Sequence, residues 1–481
     1  MFPKTNQGLA APGSKAMLKL TPGSPERRIT WLQLLHLIYI LVPYLTIRLP
    51  LSILFKHILP LLTFYRYKSA IVKNVGRPAY ADVVARMTNY VLSRSTQSQA
   101  RALLFGRTNP YNMTYSSPLF WGKKQWLSEV KEPGITGRWI ANQHTARKDD
   151  DLVLFFVHGG GFVLDTGGSA QGFFGFLMQE LTVKRGLRFS IFQLDYELAP
   201  EYIFPSQIIE TQAAYAWLVN KQGISPDKIV LGGDSAGGSI ILSFLLHLAR
   251  SNPAITTPEA IFGPVPRRPA ATLCISPFVK AISNLPSRFE NADYDLIEHR
   301  SAYAAVLSYS GAADITPKLT WWPHHLFFKL PHKDLEIPTS SGGTRNARIS
   351  AEPKLDTTKA RQNFVANMGD PYLNVSCAED PAWWKEAMPE RNLITWGGRE
   401  IFRDDIVEWT GKLDRADCDY ETLVKPLGSH DWLLYDFTIP GLHITNSTGP
   451  DRRLMWGVES VADYMCTLTD ARTAKVVDLE I

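Results

Sequence analysis

The chain has 481 residues, 45% of them hydrophobic and 20% charged, with a formal net charge of +5. That composition belongs to a globular protein with room for a large core, and the small charge, with no basic patch interleaved with aromatics, excludes nucleic acid as a partner. The four cysteines (Cys274, Cys377, Cys418, Cys466) lie far apart without metal-ligand spacing, so they read as core thiols, with one disulfide left open.

Residues 1–28 carry five Lys or Arg against one acid among Gly, Pro and Ser, and read as a basic tail. Ile29 to Ile47 then gives nineteen residues without a formal charge, closed by Arg48, which is long enough to cross a bilayer. Leu49 to Phe64 is apolar but interrupted by Pro50, Lys56 and Pro60, and suits an interfacial or kinked segment, so 29–68 is taken as a membrane anchor. A cleaved signal peptide fits less well, since the apolar core is too long and no small-residue cleavage site follows. A helix pair covering a substrate pocket is the competing reading. Lys and Arg flank the segment almost equally, so the positive-inside rule leans only weakly toward a cytosolic tail. Sequons at Asn112, Asn374 and Asn446 favour a lumenal catalytic domain.

Residues 69–138 read as cap helices and lead-in, with apolar positions at helical spacing such as Val83, Val84, Met87, Tyr90 and Val91. From 139 onward the pattern alternates. Strands are expected at Trp139-Ile140, Leu152–Val157, Arg188–Leu194, Lys228–Gly233, Ala271–Ser276, Asn392–Trp396 and Tyr420–Lys425. Helices are expected at Phe173–Arg185, Ser206–Lys221, Ile240–Leu248, Leu296–Ser310, Ile401–Leu413 and Trp456–Leu468. Such alternation predicts an α/β fold with a mostly parallel central sheet flanked by helices. Residues 285–365 break the rhythm and read as a cap and loop insertion, its polar part running from Pro331 to Gln362.

The chemistry centres on Gly233-Asp234-Ser235-Ala236-Gly237, between an apolar strand and an apolar helix. A strand that turns directly into a helix leaves room only for small residues around the one pushed outward, so Ser235 stands exposed at a helix N-terminus as a candidate nucleophile. His158-Gly159-Gly160-Gly161 follows the Leu152–Val157 strand. The bare N–H groups of Gly159, Gly160 and Gly161, two of them acting with Ala236, are the candidate oxyanion hole. His158 reads as a brace for that loop.

A serine nucleophile needs a base and an orienting acid. His430, in Gly428-Ser429-His430-Asp431-Trp432 after the last strand, is the candidate base. His324, His325 and His332 fall in the insertion. Glu400 is the first acid after the glycines that close the penultimate strand, and is the candidate orienting carboxylate. Asp404 is second, whereas Asp431 and Asp436 lie too near His430 in the chain to be favoured. This set needs neither metal nor organic cofactor.

Taken together, His158-Gly159-Gly160-Gly161, Asp195-Tyr196-Glu197-Leu198-Ala199-Pro200-Glu201 and Gly233-Asp234-Ser235-Ala236-Gly237-Gly238 resemble the hormone-sensitive-lipase branch of the α/β-hydrolases over roughly Leu152 to Leu434. The resemblance implies an α/β-hydrolase fold with an N-terminal helical cap and Ser235, His430 and the oxyanion loop in those roles. The family usually places Asp at the acid position, where this chain has Glu400. With an anchor ahead of the cap, the chain resembles membrane-anchored steryl acetyl hydrolases and, more distantly, arylacetamide deacetylases. That implies deacetylation of a lipophilic alcohol ester, such as a steryl ester, at the endoplasmic reticulum membrane. Acyl transfer to an alcohol by the same site, and a catalytically dead ligand receptor on the same fold, are the alternatives.

Overall fold

A computed structural model describes residues 30–58, 79–103, 126–141, 146–253, 255, 262–312, 332–338, 344–350, 367–438 and 456–469. The basic tail, the sequons at Asn112 and Asn446, and His324 and His325 lie outside them.

The sheet begins earlier than expected, with Leu127–Glu132 (β1) and Ile135–Ile140 (β2) paired antiparallel. Strand β1 is a half-exposed edge of sequence LSEVKE and has no apolar run to announce it. The apolar runs become the inner strands: Leu152–Val157 (β3), Phe189–Leu194 (β4), Ile229–Asp234 (β5) and Ala271–Ile275 (β6), buried at every position. Strands covered on both faces read this way. A hairpin of His332–Pro338 (β7) and Thr344–Ser350 (β8) forms a separate two-stranded sheet within the stretch expected to be a loop. Arg391–Gly397 (β9) and Glu421–Lys425 (β10) complete the main sheet, whose order is β1-β2-β4-β3-β5-β6-β9-β10. Every neighbour pair from β4 to β10 is parallel.

Ten helices matter here: Trp31–Pro43 (α1), Ala79–Arg94 (α2), Gln97–Leu103 (α3), Gln171–Met178 (α4), Ser206–Asn220 (α5), Ser235–Ala249 (α6), His299–Tyr309 (α7), Arg403–Arg415 (α8), Trp432–Thr438 (α9) and Trp456–Cys466 (α10). One apolar core packs α5, α6 and α8 against one face of the sheet, and a second packs α4, α9 and α10 against the other.

The two apolar N-terminal segments form one helical run. Helix α1 continues through a π turn at Tyr44–Arg48, an α turn at Leu49–Ile53 and a second π turn at Leu54–Ile58, so neither Pro43 nor Pro50 ends it. Its span Trp31–Ile53 has a mean hydropathy of 1.7 and is 28% buried. The buried side, including His36, Leu37, Ile40 and Tyr44, lies on α2 and α3. There Tyr44 stacks on Tyr90 at 3.8 Å, the Tyr90 hydroxyl donates to Ile40 O at 3.0 Å, and Gln99 Nε2 donates to Gln33 O at 2.6 Å. The opposite side leaves Trp31, Leu35, Ile38, Val42 and Phe55 exposed.

Asn374 corrects an expectation. It is buried, its Oδ1 accepting the Ala281 N–H at 3.0 Å and its Nδ2 donating to Met368 O at 2.8 Å, so its sequon offers nothing to a glycosyltransferase and lends no support to a lumenal site. The four cysteines are free thiols.

Candidate active site

The parallel strands deliver the expected residues to one edge, the carboxyl ends of β3, β5, β9 and β10. At the end of β5 the chain turns straight into α6, and Ser235 sits at the turn with φ 49°. The flanking glycines are steric requirements: a Cβ on Gly237 would stand 2.0 Å from Val157 O, and one on Gly233 2.7 Å from the Gly237 carbonyl. Side chains cannot occupy those distances, so the backbone closes on itself and the hydroxyl is driven outward.

His430, on the loop after β10, meets that hydroxyl, with Nε2 2.8 Å from Ser235 Oγ. Its other nitrogen, Nδ1, lies 3.9 Å from Glu400 Oε1, and neither atom has a hydrogen-bond partner among the described residues. Glu400 Oε2 is held by the Gly397 N–H at 2.8 Å and the Ser276 hydroxyl at 2.7 Å. The carboxylate is thus fixed through one oxygen while the other faces the imidazole. Burial pushes the Glu400 carboxyl up to about 8 and the His430 imidazole down to about 4. Asp404 and Asp436 are occupied elsewhere, capping Ser287 N–H at 2.8 Å and pairing Lys425 at 2.6 Å.

The glycine loop requires one correction. The Gly159 N–H donates to Asp234 Oδ1 at 2.9 Å, so Gly159 is no free oxyanion donor. Gly160 and Gly161, both in left-handed backbone at φ 96° and 62°, line the pocket beside Ser235. A Cβ on Gly160 would lie 2.2 Å from Leu164 O, which makes this turn unavailable to other residues. Ala236 follows Ser235 at the start of α6. His158 stacks on Tyr196 at 4.3 Å and its Nδ1 lies 2.8 Å from Gly159 O, the bracing position expected of it. The Tyr196 hydroxyl donates to His158 O at 3.0 Å, tying the 195–201 motif to the glycine loop.

The sequence matches a family model for the alpha/beta hydrolase fold over residues 154–324. It is 36% identical over 126 residues to hormone-sensitive lipase of Mus musculus, covering 26% of this chain and 15% of that protein. Arylacetamide deacetylase of Rattus norvegicus is 32% identical over 151 residues, 30% of this chain and 34% of that one. The matched region therefore spans well under two thirds of these relatives. The crystal structure of a hormone-sensitive lipase from a metagenome library overlays 82% of this chain and 99% of that one, at a TM-score of 0.52 and 16% identity, a likeness of fold. Residues 154–324 thus carry an alpha/beta hydrolase fold, and this part of the chain is similar to hormone-sensitive lipase.

Within this alpha/beta hydrolase fold the pocket over Ser235 encloses about 860 Å³, counting its open mouth. Its walls are mostly apolar: Leu92 and Ala100 from α2 and α3, Ala302 and Ala305 from α7, and Phe278 and Phe402 beside the histidine. The same cap helices that receive α1 on the outside thus close the pocket on the inside. Arg101 joins cap to catalytic loops, its Nε donating to Val163 O at 2.7 Å and an Nη to Ala199 O at 2.6 Å.

Two carboxyls beside His430 were not legible as site residues. Asp295 accepts the His430 backbone N–H at 2.7 Å and the Ile401 N–H at 2.7 Å, locking the histidine loop to the Glu400 loop. Burial pushes its carboxyl up to about 6. It lies in the irregular cap segment, where no periodicity marks it. Asp431, passed over for its nearness in sequence to His430, stands at the reacting end of the imidazole, with Oδ2 3.2 Å from Nε2.

Proposed function

We propose that this α/β-hydrolase is a carboxylic ester hydrolase that removes a short acyl group, acetyl above all, from a lipophilic alcohol such as a sterol. The observation that carries the reading is Ser235 Oγ at 2.8 Å from His430 Nε2, at a helix N-terminus and under an apolar pocket. In the proposed reaction Ser235 Oγ attacks the ester carbonyl while its proton passes to Nε2, and the carbonyl oxygen becomes an oxyanion held by the N–H groups of Gly160, Gly161 and Ala236. Collapse expels the alcohol, which takes the proton from Nε2. Water then repeats the sequence on the acyl-serine, and Glu400 keeps Nδ1–H oriented throughout. A receptor has no use for the Ser235–His430 contact, which argues against the dead-receptor alternative.

A lipophilic substrate is supported by the apolar pocket lining, and by relatives named lipase and deacetylase. Membrane association is supported by the exposed apolar side of the helical run 31–58. The test is hydrolysis of acyl esters from acetyl to long chain, with steryl and aryl acetates, by the full chain beside Ser235→Ala. Cleavage of short esters by the first alone supports the reading. No cleavage of any ester by the folded protein overturns it.

A further inference from the structure

His430 is followed in the chain by a carboxyl that the serine, histidine and glutamate do not use. Asp431 has φ 53°, a left-handed conformation that Asp and Asn tolerate better than other side chains, and its N–H donates to Ser276 Oγ at 3.0 Å. This turn brings Oδ2 to 3.2 Å from His430 Nε2, the nitrogen that also faces Ser235. The residue is buried and lines the pocket. Its other oxygen, Oδ1, has no hydrogen-bond partner among the described residues. Burial, with the neighbouring carboxyls of Asp234, Glu400 and Asp295, pushes the Asp431 carboxyl well above the usual carboxylate range, so it presents an oxygen acceptor to Nε2 without a full charge. A full carboxylate there would hold the imidazolium as an ion pair and draw it from the serine.

We propose that Asp431 is a catalytic residue of the deacylation step, which positions the attacking water jointly with His430. The proposal rests on the ester-cleaving reading above. A water over the acyl-serine gives one hydrogen to Nε2 and the other to Asp431 Oδ2, which turns an oxygen lone pair toward the acyl carbon. As the O–C bond forms, the O–H bond to Nε2 breaks and His430 takes that proton. The tetrahedral intermediate then expels Ser235 Oγ, which recovers the proton from Nε2, and the carboxylic acid leaves. Asp431 neither gains nor loses a proton. An alcohol has a single hydroxyl hydrogen and satisfies only one of the two acceptors. Asp431 therefore selects water over alcohol as acyl acceptor, and sets hydrolysis above acyl transfer.

The experiment is the partition of the acetyl group between water and methanol, measured as acetate and methyl acetate from p-nitrophenyl acetate. It compares wild type, Asp431→Gly, which suits the backbone, and Asp431→Asn, which keeps a carbonyl acceptor. Asp431→Gly is expected to raise the methyl acetate to acetate ratio roughly fivefold, the size of one hydrogen bond. Fluorophosphonate labelling of Ser235 should fall less than acetate release does, and Asp431→Asn should restore the wild-type ratio. An unchanged ratio in Asp431→Gly overturns the proposal. So does loss of labelling in step with turnover, or an Asn variant that behaves like Gly. If wild type releases no more p-nitrophenol than Ser235→Ala, the ester-cleaving reading fails and this proposal with it. That result is distinct from intact cleavage with an unaltered ratio.

Discussion

Arg101 holds Glu201 through both terminal guanidinium nitrogens, at 2.7 and 3.0 Å. The arginine belongs to the cap and is buried, and Glu201 closes the 195–201 motif, so a planar two-point pair fixes the cap onto the loops around Ser235. The other guanidinium bonds, to Val163 O and Ala199 O, leave Arg101 as a clamp on both loops at once.

Arg101→Ala should therefore lower stability and activity together. Removing one partner of a buried pair costs about 3–5 kcal/mol, and the partial exposure of Glu201 sets the expectation at about 3. Arg101→Lys keeps the charge but loses the fork and should recover less than half of that. Denaturant unfolding beside kcat/KM would check both, and a stable Arg101→Ala variant with wild-type kcat/KM would refute the clamp.

Activity should climb at alkaline pH. Glu400 must be ionised to orient Nδ1–H, and burial has pushed it up to about 8, so kcat/KM rises through about pH 8 with one proton lost. His430, lowered to about 4, gives no limb near its ordinary 6.5. Stability runs the other way. The raised Glu400 contributes stability that is full below its ordinary 4.5 and lost as pH rises through about 8. The lowered His430 makes the unfolded state the better proton binder between about 4 and 6.5, so its contribution rises with pH there. The two oppose up to about 6.5, above which the Glu400 contribution is lost unopposed by His430, and Asp295 and Asp234, raised by burial to about 6 and about 7, act in the same sense as Glu400. Melting temperatures and kcat/KM from pH 5 to 9 test this, and Glu400→Gln should flatten the ascending limb.

Gly237→Ala should fail to fold or lose several kcal/mol, because its Cβ would stand 2.0 Å from Val157 O, a backbone atom of the neighbouring strand with no freedom to retreat. Soluble yield and circular dichroism beside Gly411→Ala, whose Cβ would meet nothing nearer than 3.8 Å, would separate a local clash from general glycine loss.

Asn374 should carry no glycan in a eukaryotic host, as peptide mass mapping would reveal. Asn374→Ala strips the partner from the Ala281 N–H, at about 1–3 kcal/mol for a buried group left unsatisfied, and one of two donors from the Met368 carbonyl, which keeps Cys377 Sγ. A glycosylated Asn374 would mean that this part of the core is arranged differently.

The inner sheet was readable because β3, β5 and β6 are uninterrupted apolar runs, and the serine turn because only glycine fits around it. Strand β1, the first part of β2 ahead of the expected Trp139-Ile140, and Asp295 were not, since edge strands and irregular cap segments carry no period that local inspection detects. Gly159 was misjudged for a different reason. All three glycines look alike as bare N–H groups, and only the fold brings the Asp234 carboxylate within reach of one of them. Asp431 was set aside as the orienting acid and does not stand at Nδ1; its left-handed turn places Oδ2 at Nε2 instead, a position that sequence spacing does not reveal.

The cap helices α2 and α3 are walls with two tenants. The Tyr90 and Gln99 side chains support α1 from one surface, and Leu92 and Ala100 bound the substrate pocket from the other. Trimming residues 1–58 to obtain a tractable protein would thus strip the outer lining from a thin partition. The shortened chain would differ from the full one in the shape of the pocket over Ser235.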